Sequence, residues 1–378
     1  MRLFMYEVRK IWTWPVLFII VVVNVLLFKL FIAFDLTYFP NGRPALDHFV
    51  LEQQMIPLFG TSWDDEEWAS FQRMYDDEVA AANAYLASDP QAIAAGLDTY
   101  DKLNNYDVGN AAQNRYHDLL FFEREEPFAW RLQAFQWYMT EYEYREASIK
   151  AYMRQVTPNE TKRLQHLLEN EQFTMYSKVV LSNFDTYKTS VAIVIFISVA
   201  LLISPLFIRD KLANVEPIQY ATAKGRKLYR TKWWAGLGSG TLLTMLLLAI
   251  YMTLYATNDT QSHFDLPLST FGASFHWYDM TFWQYIMLSV ALLFLLAVVL
   301  TILTMAISTA VSTWIMLIAV QIVVLFIMIA VGAAFVVQHP TDLTFAQWLM
   351  PVLIVSFIVS TGVLTRHVWF KVLRRDII

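Results

Sequence analysis

The sequence predicts an all-α polytopic membrane protein with six transmembrane helices and a helical extracytoplasmic domain between spans one and two. Three observations carry this. Of the 378 residues, 57% are hydrophobic and 16% charged, against roughly 45–50% and about 25% in soluble chains. Six stretches reach the roughly 20 apolar residues with which a helix crosses a hydrocarbon core of about 30 Å. Basic and base-free loops alternate as six spans require when Lys and Arg stay on the inner side.

The elements follow in chain order. Residues 1–12 form a cytoplasmic segment with Arg2, Arg9 and Lys10. The apolar run that follows is longer than a secretory apolar region of about 7–15 residues and has no small-x-small site after it. It predicts a retained first span over 13–34. Residues 35–188 hold 25 acids and 13 bases, and a domain of this length crosses a membrane largely regardless of charge. Its periodicity is helical: Trp68, Phe71, Tyr75, Val79 and Leu86 share one face, and Phe128, Leu132, Phe135, Met139 and Tyr142 share another. Asp89-Pro90 and Thr157-Pro158-Asn159-Glu160 are helix-start signals. Acids at 64–67 favour a helix N-terminus. Helices are expected over 64–87, 90–104, 110–124, 127–155 and 158–186. The last is expected to run unbroken into span two, because no Pro or Gly lies between Asn159 and Ser204. Trp63, Trp68, Trp130, Trp137, Tyr138, Tyr142, Tyr144 and Tyr152 leave two readings open: a core stripe, or a groove for an amphipathic ligand.

The remaining spans are expected at 189–208, 233–255, 282–306, 311–337 and 345–365, the last four within 233–365. Spans four and five should form a tight hairpin. The 209–232 loop carries seven bases against Asp210 and Glu216, and the 366–378 tail carries four against Asp376. Loops 256–281 and 338–344 carry no base. Both termini are therefore expected in the cytoplasm of a bacterial cell.

Several chemistries are excluded or unsupported. The chain has no cysteine, so it has neither disulfides nor thiolate chemistry. There is no Walker A sequence, no His-Glu-x-x-His and no Gly-x-Ser-x-Gly. The chain is therefore not expected to be an enzyme. His263, His276 and His339 share the outer loops, but scattered loop histidines are usually solvated, and no metal is expected. Within the predicted spans Lys29 is the one charged group, placed to snorkel. Asn24 and Gln321 are uncharged and suited to bridging helices. The absence of an intramembrane carboxylate argues against a proton-coupled carrier. Gly236-Leu-Gly-Ser-Gly240 permits close helix approach, within the chain or between copies. Pro205 after Ser204 can kink span two.

The 205–237 segment reads Pro-Leu-Phe-Ile-Arg-Asp-Lys-Leu-Ala-Asn-Val-Glu-Pro-Ile-Gln-Tyr-Ala-Thr-Ala-Lys-Gly-Arg-Lys-Leu-Tyr-Arg-Thr-Lys-Trp-Trp-Ala-Gly-Leu. It resembles the type-2 ABC exporter permeases: an acidic residue after span two, a short helix, a Gly-Arg-basic turn and a lysine at the mouth of span three. Here these are Glu216, then Gly225, Arg226 and Lys227, then Lys232. Glu7-Val-Arg-Lys10 also resembles the family's opening. The resemblance implies a permease subunit with ATPase-coupling residues Glu216, Gln219, Tyr220, Gly225, Arg226 and Lys232. It implies a separate ABC ATPase dimer that binds ATP and Mg, no cofactor in this chain, and a second permease copy or paralogue. Membrane lipid is expected as surroundings and nucleic acid is not expected as a partner. The competing reading is a membrane-anchored receptor or immunity protein that binds a peptide through its extracytoplasmic domain.

Overall fold

The computed structural model describes residues 2–61, 63–215, 225–272 and 274–374. Six helices are long and apolar enough to cross a membrane: Trp14–Thr37, Val179–Leu212, Lys227–Asn258, Phe282–Ala310, Trp314–Val337 and Leu349–Val372. No strand occurs among the described residues. The protein is an all-α polytopic membrane protein. Two compact units divide it: Met1–Tyr38, Ser182–Asp259 and Trp283–Ile378 form the membrane unit, and Phe39–Leu181 with Thr260–Phe282 form the helical unit. Residues 260–282, expected as part of a simple loop, thus belong to the helical unit.

In the membrane unit, the N-terminal helix Arg2–Ile11 precedes span one and is separated from it at Trp12–Thr13. Polar side chains bridge the spans. Asn24 of span one donates to Ser198 Oγ of span two at 2.8 Å and accepts from Tyr251 Oη of span three at 3.0 Å. Gln321 of span five donates to Thr304 of span four at 3.2 Å. In lipid each such polar group must find a protein partner, so these bonds fix which helix faces meet. The Gly motif packs within the chain. A Cβ on Gly240 would lie 2.5 Å from Thr301 Cγ2, and one on Gly236 would lie 2.5 Å from Met305 Sδ. Both residues therefore face span four. Spans four and five are joined by Val311–Thr313 alone, as a tight hairpin requires.

Span two is interrupted at one residue. Helix Val179–Ile203 stops before Ser204 and resumes as Pro205–Leu212. Proline cannot donate and removes a helical bond. Ser308 of span four takes over: its hydroxyl donates to Ser204 O at 2.7 Å and accepts from Phe207 N and Ile208 N at 3.2 Å each.

The helical unit contains Ala45–Phe59, Asp65–Ser88, Pro90–Ala95, Tyr100–Asn104, Ala111–Asp118, Pro127–Met153 and Pro158–Glu169. Starts are capped as the sequence signals. Asp64 Oδ1 accepts from Glu66 N and Glu67 N at 2.9 Å, and Glu67 returns a carboxylate oxygen to Asp64 N. Asp89 accepts from Gln91 N. The predicted stripes meet in the core, with Phe71 and Phe135 fully buried and their ring centroids 5.0 Å apart.

Three expectations need correction. Helix Ala45–Phe59 was not foreseen. The 90–104 helix is two short ones, broken where Gly96 takes φ 73°. The helix from 158 does not run into span two: it ends at Glu169, and Asn170 to Lys178 form no helix. There the backbone bonds elsewhere: Met175 N and Tyr176 N both donate to Thr270 O, at 2.9 and 2.8 Å, and Gly272 N donates to Tyr176 O at 2.8 Å. A continuous rigid rod from residue 158 into span two is therefore absent.

Candidate functional site

Basic residues at one end of the membrane unit organise the segments flanking the 209–232 loop. Lys211 Nζ donates to Thr309 O at 2.9 Å and Val311 O at 2.6 Å. It thereby caps the carbonyl end of span four, where the helix dipole favours a cation. Lys232, only 4% exposed, is ion-paired with Asp210. Lys10 of the N-terminal helix lies 3.8 Å from the same Asp210 carboxylate and 3.3 Å from Glu7. Glu7 is 2% exposed, and its Oε2 has no hydrogen-bond partner in the structure. Asp210 thus gathers three elements: the N-terminal helix, the end of span two and the start of span three. A cleft of 260 Å³ opens beside Tyr6, Lys10, Pro205, Arg209 and Asp210.

This arrangement gives Lys232 a definite place. It is a buried clamp at the root of the loop rather than a free base on its surface. Gly225 begins the helix Gly225–Tyr255. Glu216, Gln219 and Tyr220, and the side chain of Arg226, lie outside the described residues. What the structure adds is Asp210, which the sequence offers only as a loop charge, and its link to Lys10 and Glu7, which the sequence singles out only as part of the N-terminal Glu7-Val-Arg-Lys10 segment. The signal available was spacing: Asp210 and Lys232 close the two ends of one loop.

A second polar centre lies on the helix that carries span two. That helix begins at Val179, ten residues before the expected span, so Asp185 and Lys188 lie on its first turns, ahead of 189–208. Lys188 is 1% exposed. Its ammonium donates to Tyr285 Oη at 2.6 Å, lies 2.8 Å from Asp185 Oδ1, and is 3.4 Å from Ser289 Oγ. Tyr285 Oη donates to Asp185 Oδ1 at 2.8 Å. Asp185, which the sequence reading leaves outside the spans, is paired to a lysine on its own helix and a tyrosine of span four. A buried charge such as that of Lys188 is costly unless partnered, and here the lysine is partnered while Asp185 stays 26% exposed. The pair joins the helix of span two to span four near one end of each.

The helical unit has its own buried pair. Glu52 and His263 are both 0% exposed. Glu52 Oε1 accepts from Tyr138 Oη at 2.6 Å and Ser177 N at 2.5 Å, and its Oε2 lies 3.0 Å from His263 Nε2. Burial, with Glu52 adjoining, drives the Tyr138 phenol well above its usual pKa, so it stays a donor. One carboxylate thereby ties helices Ala45–Phe59 and Pro127–Met153 to the 170–178 segment and the 260–282 loop. His263 is committed to this bond. Among the described residues no group of His, Asp and Glu is arranged to hold a metal.

Compared with family models, curated proteins and solved structures, the chain matches none.

Proposed function

We propose that this chain is the permease subunit of an ATP-driven ABC exporter, forming the membrane pathway and docking a separate cytoplasmic ATPase through the 209–232 loop. The observation that carries the reading is the Asp210 junction. A loop that transmits force to a membrane helix must be held stiffly at its base, since a flexible base dissipates displacement. Here the base is stiffened by Lys232 and Lys10 on Asp210, and by Lys211 on the end of span four. The loop has seven bases and Glu216 between two spans, which suits an acidic or mixed cleft on a soluble partner. ATP and Mg belong to that partner. The exported substrate is a peptide, lipid or other amphipathic compound, and a second permease copy or paralogue completes the pathway.

The test is purification of the tagged full chain from its native membrane in mild detergent. A stoichiometric ATPase should co-elute and should be lost when 209–232 is replaced by a neutral linker. Glu216→Arg should leave the chain folded and lower the ATPase rate of the complex several-fold. A chain that elutes alone from several detergents would move the assignment to the peptide receptor.

A further inference from the structure

The helical unit contains a cleft of 790 Å³, within the about 300–1,000 Å³ of typical ligand sites. Its walls are of two kinds. Trp63, Tyr142 and Phe173 supply aromatic surface. Asp65, Glu169 and Glu171 supply carboxylates, none of which has an ion-pair partner among the described residues. The two bases lining the cleft are already engaged. Lys150 is 2.6 Å from Glu146. The Arg145 guanidinium lies 3.8 Å from the Tyr142 ring centroid and 5.4 Å from that of Phe173, and donates to Tyr142 O. Gln172 also lines the cleft, and its buried side-chain oxygen has no hydrogen-bond partner in the structure.

We infer that this cleft binds a short cationic amphipathic peptide segment. Its ammonium or guanidinium groups would sit on Asp65, Glu169 and Glu171. Its apolar side chains would lie on Trp63 and Phe173. The chemistry selects this class. Unengaged groups in the walls are acceptors and anions, so an anionic ligand is repelled. The aromatic wall adds cation–π and apolar contact that a simple inorganic cation would not use. Trp68 stacks on Tyr142 at 4.0 Å in the core, while Trp63 and Phe173 line the cleft. As the place where an exported compound is captured the site rests on the exporter reading, but as a binding site it stands without it.

The test uses the full chain in nanodiscs of zwitterionic lipid, with empty nanodiscs subtracted. Calorimetry would measure binding of a synthetic amidated Lys/Leu/Trp heptapeptide and of its Glu-for-Lys counterpart, at low and high salt. The Lys peptide should bind, the Glu peptide should not, and affinity should fall with salt. Glu169→Gln with Glu171→Gln should weaken binding about fivefold or more. Asp76→Asn with Asp77→Asn, an equal charge change at exposed positions outside the cleft lining, should not. Equal loss in both pairs would show diffuse surface attraction and overturn the site, as would no loss in either or equal binding of the Glu peptide. No ATPase is present, so failure here leaves the exporter reading intact, and an absent ATPase partner leaves this site intact.

Discussion

Lys188 shows how a single side chain sets the terms of a membrane helix. It lies nine residues into the helix that starts at Val179, about 14 Å along its axis, and is fully buried against Asp185, Tyr285 and Ser289. Breaking a buried ion pair from one side leaves an uncompensated charge, whereas removing both charges is far cheaper. Lys188→Met should therefore cost about 3 kcal/mol, and Lys188→Met with Asp185→Asn should recover most of it. Thermal unfolding of the purified variants in detergent checks the order, and a double variant no better than the single would deny the pairing. His48, in the helical unit, makes a pH prediction. Its ring lies edge-on to Trp137 and Tyr138, at centroid distances of 4.9 and 5.4 Å, and its Nδ1 is buried without a partner. Burial holds its pKa below the usual 6.5, against an opposing pull from Glu52. Below that value the unfolded chain takes up a proton that the folded unit resists. The unfolded state then binds more protons, so stability falls as pH drops through the unfolded pKa and stops falling only below the folded one. Between pH 7.5 and about 5.5, the melting midpoint of the wild-type chain should drop more than that of His48→Gln. Parallel curves would remove His48 as the source.

Helices in this protein meet where side chains are small or polar, and Gly240 is the sharpest instance. A methyl group there would reach Thr301 Cγ2 and Oγ1 at 2.5 and 2.6 Å. Thr301 is β-branched and its hydroxyl donates to Ala297 O at 2.8 Å, so its χ1 is restricted and moving it costs that bond. Gly240→Ala should cost about 1–3 kcal/mol by overpacking. Gly236→Ala should cost less, because the groups it meets, Met305 Sδ at 2.5 Å and Leu206 Cδ2 at 2.6 Å, are the ends of longer side chains that can shift more readily than a β-branched threonine. Gly238→Ala, with nothing within 4 Å, should change stability by no more than about 0.5 kcal/mol. Equal melting midpoints for the Gly240 and Gly238 variants would refute this close approach. The same elements show what the sequence discloses. The six spans are legible because twenty apolar residues in a row leave little alternative. The N-terminal extension of span two's helix is not, because hydropathy scores Asp185 and Lys188 as solvent-seeking while their partner Tyr285 is a hundred residues away. The break after Glu169 carries no Pro or Gly; it turns on Glu171 at φ 53° and on backbone bonds to Thr270, both invisible locally. Helix Ala45–Phe59 contains Pro57 and buries the polar Asp47 and Glu52, so it lacks a clean apolar stripe. At the candidate site Lys232 was legible from its place at the mouth of a span, but its partner Asp210 was not, because an acid in a basic loop has several lysines within reach.

Charge is partitioned along the whole chain. The helical unit's residues carry 25 acids against 12 bases, while 209–232 carries seven bases against two acids. If the positive-inside rule sets the orientation, these two regions lie on opposite sides of the membrane, with 209–232 in the cytoplasm. The exporter reading depends on this, since an ATPase that uses cytoplasmic ATP can dock nowhere else. The absence of cysteine makes the question directly testable, because any introduced thiol is the only one in the chain. Ala94 and Arg230 are both exposed and helical, so Ala94→Cys and Arg230→Cys should fold normally. In intact cells, with the outer barrier made passable, a membrane-impermeant maleimide should label Ala94→Cys. Arg230→Cys should be labelled only after the inner membrane is opened. The reversed pattern would place 209–232 outside, where no ATP-driven partner could reach it, and would leave the acidic cleft facing the cytoplasm. Labelling of both in intact cells would require an odd number of crossings between residues 94 and 230 to be abandoned, and with it the assignment of Val179–Leu212 as a span.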